Sequence, residues 1–473
     1  MRRSLAVIAM TLAAWFALPS GAAHAHPLGN FTVNRAAAVR LLPGEVRIDY
    51  VVDMAEIPTF QEVPAIDADG DGAASAAELT AWAGRQASEL APGLVLAVDG
   101  ASVELAAAGD ASAELLPGQA GLDVLRFEAT FTGSVPDRGS LRFDDRTDDG
   151  RIGWREVTAT GADGVAVSAS TVPAASPSRM LTAYPQDALA SPLDVRSMSA
   201  TYGPGESSER SASAASPAAG GRDGRPATEG LPFAGILTAS GLPLLAVALL
   251  VALGLGAWHA ILPGHGKTLM AATMVGAGAR ARQAVAVAVA VALMHSASVL
   301  ALGLTVLALE RTFRPEAVYP WLGTVAGVAA VVVGIHLLRT RWHVWRHRGG
   351  GGHHDHAGHH HLHGHGTLVA GGLGPRGLVA LALAGGILPA PSALLVLLAS
   401  IQAHRVAYGL GLLVAFSAGL AAALLGVGLG ALRAREVLAR RLPATVSTVV
   451  PIVSAAAIVP VGATIAIRGL TAV

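Results

Sequence analysis

The stretch HAILPGHGKTLMAA, His259 to Ala272, lies in the apolar half of a 473-residue chain. Its Gly-Lys-Thr invites a phosphate-loop reading, and its two histidines invite a metal reading. A phosphate loop needs a glycine five positions before its Gly-Lys and a strand in front of it. Here that position is Ile261 and an apolar helix precedes it, which excludes the nucleotide reading. On one unbroken helix His259 and His265 would stand about 9 Å apart along the axis and on different faces. That is too far to share an ion whose bonds are about 2 Å long. Pro263-Gly264 between them ends the helix, so the chain can turn and bring both rings together. Irregular backbone at membrane depth is tolerated where it lines a cavity, and broken helices mark ion sites in transporters. The next apolar stretch adds His295 in LMHSAS, with hydroxyls at Thr268, Ser296 and Ser298. His259, His265 and His295 thus make a candidate site for a borderline-soft divalent cation. His336, in the third apolar stretch, reads equally well as an ordinary packed side chain. Lys267 is the only lysine in the chain. It reads as a snorkelling cation or a donor to a carbonyl freed by the break, with chance as the alternative.

Working outward, 52% of residues are hydrophobic and 14% charged, the composition of a membrane protein. Six long apolar stretches, roughly 234–261, 283–309, 319–338, 377–400, 406–432 and 446–471, are each near the length of a membrane-spanning helix. A shorter piece, 268–278, reads as a re-entrant or extended helix. The expected fold is therefore an all-α polytopic membrane unit of about six spans, over residues 232–473. Of the 33 acidic residues only Glu310, Glu316, Asp355 and Glu436 lie beyond Leu231, so the front of the chain is acidic and the back has basic loops. With the first span starting outside, the inner loops hold Lys267, Arg280, Arg282, Arg339, Arg341, Arg346, Arg348, Arg376, Arg433, Arg435, Arg440 and Arg441. The outer loops and tail hold Arg311, Arg314, Arg405 and Arg468. That asymmetry obeys the positive-inside rule.

The first 25 residues read as a secretory signal: Arg2-Arg3, an apolar run from Leu5 to Leu18, and Ala23-His24-Ala25 as the cleavage site. Cleavage leaves His26 at the new N-terminus. Its free amine and ring are a minor metal-chelation hypothesis beside the plain reading of a signal junction. Residues 26–200 read as a mainly-β extracytoplasmic domain, sandwich-like. Val46, Ile48, Tyr50 and Val52 alternate, and LVLAVDGASVEL and VTATGADGVAVSAS carry Asp-Gly turns. Residues 201–231 are a Gly/Ser/Pro-rich linker with the composition of disorder. Within the outer domain DADGDGAASAAE has EF-hand spacing. Asp67, Asp69 and Asp71 stand at positions 1, 3 and 5, the Ala73 carbonyl at 7, Ser75 at 9 and Glu78 at 12. Structural calcium is the expectation, and a solvated acidic turn the alternative. A second acidic loop, Asp145 to Glu156, has two weakened ligand positions and reads better as an ordinary turn.

Histidine is as unevenly distributed as charge. The segment HHDHAGHHHLHGH places His353, His354, His356, His359, His360, His361, His363 and His365 in the inner loop 339–375, flanked by glycine. Neutral imidazoles in such a tract bind nickel, cobalt, copper and zinc, so the loop reads as a cytoplasmic metal-gathering segment rather than a polar spacer. With no cysteine, thiolate sites and disulfides are excluded.

HAILPGHGKTLMAA, RQAVAVAVAVALMHSASVLAL, the His-rich loop and AGGILPAPSALLVLLASIQ together resemble the nickel/cobalt efflux transporters of the nickel–cobalt transporter superfamily. The likeness covers about residues 250–470. It implies export of Ni²⁺ or Co²⁺, with His259, His265 and His295 as transport-site ligands and the His-rich loop as an accessory collector. The HPLGNFTVN start and β-domain resemble the extracytoplasmic domain of some members. Efflux members often carry Cys in a GGLIPCP-like turn; here Ala390 stands in its place, so any thiol role there is absent.

No carboxylate lies within a span, so histidines are the intramembrane groups that titrate near neutral pH. Metal and protons compete for the same nitrogens, which points to proton coupling. The expected partners are metal ions and the lipid bilayer, with no nucleic acid or nucleotide, in the cell membrane with the N-terminal domain outside. No catalytic role or catalytic cofactor is expected. An uptake permease of the same superfamily would use similar ligands, and direction is not written in the sequence. A calcium- or metal-sensing receptor leaves the membrane histidines unexplained, and an intramembrane metalloprotease lacks a carboxylate base in the spans.

Overall fold

The computed structural model describes residues 28–147, 150–189, 191–206, 242–261, 281–347, 375–441 and 444–471. The chain divides into two compact units, Met1–Gly235 and Ile236–Val473.

In the first unit β1 (Val33–Leu42) and β2 (Glu45–Met54) form a hairpin whose Gly44 takes a left-handed φ of +76°. A turn needs that conformation, and glycine adopts it without steric cost. Along β2 the alternating Val46, Ile48, Tyr50 and Val52 are all buried, as period-two patterning requires of a half-buried strand. The hairpin lies within a five-stranded sheet ordered β5-β6-β2-β1-β8, in which β5 is Ala106–Pro117, β6 Asp123–Ser134 and β8 Arg155–Gly161. β8 runs parallel to β1. A second sheet is ordered β4-β3-β7-β10-β9, with β3 Leu94–Val98, β4 Ala101–Val103, β7 Gly139–Asp145, β9 Val165–Ser168 and β10 Ser197–Pro204. Val39, Ile48, Phe127 and Phe131 of the first sheet share one core with Leu96, Leu141, Phe143 and Tyr202 of the second. Two inner faces closing on a common apolar layer make a β-sandwich.

Two helices accompany the sheets. α1 is Glu56–Ile66 and α2 is Ala76–Leu90. α2 buries Leu79, Trp82, Ala83 and Ala87, a helical stripe, and Trp82 meets Phe127 edge-on with ring centroids 5.8 Å apart. Both Asp-Gly pairs adopt the doubly left-handed turn expected of them: Asp99 and Gly100 at φ +51° and +85°, Asp163 and Gly164 at +52° and +87°. Only the first closes a hairpin, between β3 and β4. The second carries the chain from β8 in one sheet to β9 in the other, because β8 pairs with β1 and β9 with β10. Gly161 permits that corner, since a Cβ there would stand 2.3 Å from the Val165 carbonyl oxygen.

The second unit is helical: α3 (Leu242–Ile261), α4 (Ala281–Leu309), α5 (Pro315–His347), α6 (Pro375–Gly386), α7 (Pro391–Gln402), α8 (Val406–Arg441) and α9 (Ala444–Thr471). Among the described residues three helices are long and apolar enough to cross a membrane: 281–309, 315–340 and 406–433. Counting α6 and α7 as one broken span makes four, with shorter apolar helices at 245–261 and 455–471. The six apolar stretches thus fall on helices, while the count of full-length spans among the described residues is lower than six. The stretch 377–400 is not one straight helix: it bends by 75° between Gly386 and Pro391. The proposed re-entrant piece 268–278 lies outside the described residues, as do the signal segment and most of the linker.

Small residues set the helix contacts. A Cβ on Gly256 would lie 1.9 Å from the Phe416 carbonyl, and one on Gly419 would lie 1.9 Å from the Leu253 carbonyl. α3 and α8 therefore meet backbone to backbone, the packing lipid-embedded helices favour.

Candidate metal site

His259 is on the last turn of α3, half-buried, and His295 is mid-α4 at 3% exposure. Their ring centroids are 5.8 Å apart. Phe416 of α8 packs on both, 5.8 Å from His259 and 5.9 Å from His295, and is nearly parallel to the latter at 19°. One residue further along each helix, the hydroxyls of Ser296 and Ser417 are hydrogen-bonded to each other, and each is also within reach of its own i−4 carbonyl. Three helices thus converge on a small polar cluster walled by one aromatic ring.

The break between α6 and α7 closes the cluster. In a continuous helix the Ala390 amide would donate to the Gly386 carbonyl. Instead the Ala390 N–H donates to His295 Nε2 at 3.4 Å. The Ser298 hydroxyl lies 3.1 Å from the Gly386 carbonyl, a second acceptor besides its own-helix carbonyls of Met294 and His295. From α5 the Tyr319 hydroxyl donates to the Pro389 carbonyl at 3.3 Å. Neighbouring helices therefore satisfy the backbone groups that the break sets free, as an apolar surrounding demands.

His265, Pro263, Gly264, Lys267 and Thr268, and all eight histidines from His353 to His365, lie outside the described residues. His336 is exposed on α5, away from the cluster just described. Phe416, Ser417 and Tyr319 are the parts that motif reading passed over, while the turn at Ala390 was noted only for its missing cysteine. A signal for the break exists: Ile261-Leu262-Pro263 recurs as Ile387-Leu388-Pro389. Likewise His295-Ser296-Ala297 is echoed by Phe416-Ser417-Ala418.

In the outer unit the Asp67, Asp69 and Asp71 carboxylates each offer an oxygen within 4.8 Å of the others, and among the described residues this is the one group of three or more acidic or imidazole ligands so close together. Glu78 points elsewhere. Its carboxylate accepts from the Ala68, Asp69 and Ser75 amides and the Ser75 hydroxyl, while Ser75 Oγ accepts from the Glu78 amide. This capping box starts α2. The Ser75 amide and hydroxyl first, then the Ala68 amide, hold the Glu78 carboxyl down at about 2.

The second acidic loop is organised by a cation of its own. Arg155 donates to the carbonyls of Thr147 and Arg151, and Asp145 accepts from Tyr50 and Thr147. Glu156 is held by Trp154 Nε1 at 2.8 Å, the Ser178 amide and the Ser176 hydroxyl. The guanidinium thus takes the Arg151 carbonyl, the position-7 ligand a calcium ion would need, and the final carboxylate is engaged by Trp154, Ser176 and Ser178.

No family model matches the chain, and no solved structure does. Curated proteins do. A Methanocaldococcus jannaschii protein named for nickel/cobalt efflux is 26% identical over 208 residues, 44% of this chain and 86% of its own length. The nickel/cobalt efflux system RcnA of Escherichia coli K12 is 29% identical over 226 residues, covering 40% of this chain and 79% of that protein. RcnA of Salmonella paratyphi B is 28% identical over 271 residues, covering 46% and 92%. The chain is therefore similar, over less than half of its own length and most of theirs, to proteins named as nickel/cobalt efflux systems.

Proposed function

We propose that the chain carries Ni²⁺ and Co²⁺ out of the cell through a membrane site built on His259, His265 and His295. The observation that supports this best is the meeting of His259 and His295 at 5.8 Å from separate helices, with Phe416 over both rings. Two imidazoles brought together from separate helices suit a borderline-soft divalent ion. Similarity to nickel/cobalt efflux systems names the ions and the direction. In this reading the Pro263-Gly264 sequence allows His265 to join His259, and Lys267, Thr268 and Ser296 are supporting residues. The His-rich loop gathers ions on the cytoplasmic side, and the outer domain, exported by the signal segment, stands outside the cell membrane. The Asp67, Asp69 and Asp71 oxygens, with Ala73, Ser75 and Glu78 at EF-hand spacing, are assigned a weak structural calcium site. That role requires the Glu78 carboxylate to leave its cap. No catalytic reaction is assigned.

Cells lacking the protein are expected to accumulate more radiolabelled Ni²⁺ than cells that express it. His265→Ala and His295→Ala are expected to behave like the deletion, with transport reduced about 100-fold. Lower accumulation without the protein would make it an uptake permease. Wild-type behaviour of both variants would remove the site assignment. Because protons and metal share the imidazole nitrogens, outward metal is coupled in this reading to inward protons. An imposed pH gradient should then drive Ni²⁺ flux in proteoliposomes, and no response would reject the coupling.

A further inference from the structure

His295 serves two structures at once. It is the deepest imidazole of the membrane cluster, and its Nε2 is the acceptor for the backbone amide that the break in α6–α7 leaves without its helical partner. A neutral imidazole has one acceptor nitrogen. While Ala390 N–H occupies Nε2, that lone pair is closed to a cation and the ring proton belongs on Nδ1, a tautomer assigned from the hydrogen-bond partner. Pro389 and Pro391 flank Ala390, so its amide is the single donor in that three-residue run.

We propose that the Ala390 amide is a positioning group for His295: it holds the imidazole toward the break in the empty transporter and is displaced by the transported cation. The inference rests on the transport reading above. The surroundings confine the exchange to the ring and the amide. α6 is clamped, since a Cβ on Gly386 would lie 2.5 Å from the Val291 carbonyl and 3.0 Å from the Met294 side chain. The far end of α7 is clamped too, because a Cβ on Gly409 would lie 2.4 Å from that of Ser400. Behind the exposed Pro391 and Ser392 the start of α7 is packed as well: Ala393, Leu394 and Leu395 are buried, and a Cβ on Gly303 would meet the Leu397 and Leu394 side chains. The exchange is thus local, between the imidazole and the Ala390 amide at the mouth of α7.

The test replaces the Ala390 amide by an ester, with lactic acid in place of alanine at position 390. Proline would not serve, because its Cδ would replace the amide hydrogen and collide with the His295 Nε2 that this hydrogen faces. The ester deletes the donor, keeps the side chain and adds no atom. In the full chain, the component of Ni²⁺ affinity that His295→Ala abolishes should tighten about five-fold, the effect of removing one ordinary competing hydrogen bond. Ni²⁺ efflux per bound ion should fall. The chain has no cysteine, so a single Ser392→Cys reports on the exposed step beside Ala390 without the ester. Its maleimide labelling rate should change several-fold on adding Ni²⁺ to the otherwise unaltered chain, and should ignore Ni²⁺ when His295→Ala is added. Labelling indifferent to Ni²⁺ in a chain that still binds the ion through His295, as Nδ1 coordination would give, overturns the latch. Loss of all His295-dependent Ni²⁺ binding in the unaltered chain overturns the transport reading instead.

Discussion

At the scale of single residues, Glu78 shows how one side chain can serve two competing structures. Its spacing from Asp67 is that of the last ligand of a calcium loop, yet its oxygens take the amides of Ala68, Asp69 and Ser75. Both roles want an ionised carboxylate. The cap lowers its pKa from 4.5 to about 2, so the folded state binds the proton more weakly than the unfolded chain. The stabilisation is therefore fully present above pH about 4.5 and is lost as pH falls toward 2. Amide protection in the loop and first turn of α2 should decline across that window. Glu78→Gln, which keeps a neutral capping box, should flatten the profile. An unchanged profile in the variant would show that another group controls the loop. The membrane histidines stood out in the sequence because a polar ring within an apolar run has few bland explanations. Phe416 was not, since an aromatic residue in an apolar run carries no pattern of its own. Only the fold brings it from α8 to within 5.9 Å of His295. Arg155 was equally hidden, because its burial among loop carbonyls depends on a parallel pairing between β8 and β1, far apart in the chain.

At the scale of elements, periodicity located the helices and turns and misjudged their continuity. Val46, Ile48, Tyr50 and Val52 alternate in the sequence and line one buried face of β2, while Val51 and Asp53 on the other face are buried too. The Asp163-Gly164 turn has the backbone its residues demand, yet joins strands of different sheets, because local turn chemistry sets the angle and not the partner. The stretch 377–400 is apolar throughout, and hydropathy alone does not distinguish a straight span from a bent one. The information lay in Gly385-Gly386 and in Pro389 and Pro391, which deprive the middle of donors and of helix propensity. Such a break is affordable only if other helices supply the missing partners. Those partners are His295, Ser298 and Tyr319, one turn apart on α4 or on α5. A broken helix and the side chains that mend it are thus one unit, and the proposed latch is the part of that unit able to exchange its partner for an ion.

At the scale of the whole molecule, the strongest regularity is the partition of charge. Acidic residues crowd the β-sandwich unit and its linker, four remain beyond Leu231, and arginine accumulates between alternate pairs of helices. In the proposed reading the positive-inside rule turns that partition into an orientation, with the sandwich outside and the His-rich loop inside. Direction of transport hangs on this orientation. A tract that concentrates cations beside the membrane raises their local supply on whichever side it lies. Inside, it feeds export, and outside, it feeds uptake. The absence of cysteine makes the test clean. A single Ser213→Cys in the linker should react with a membrane-impermeant maleimide in cells whose outer barrier has been opened. A single Gly351→Cys at the edge of the His-rich tract should react only after the inner membrane is breached. The reverse pattern would place the imidazoles on the outer surface. It would also turn the proposed efflux site into an entry site while leaving His259, His295 and their shared aromatic wall where they are.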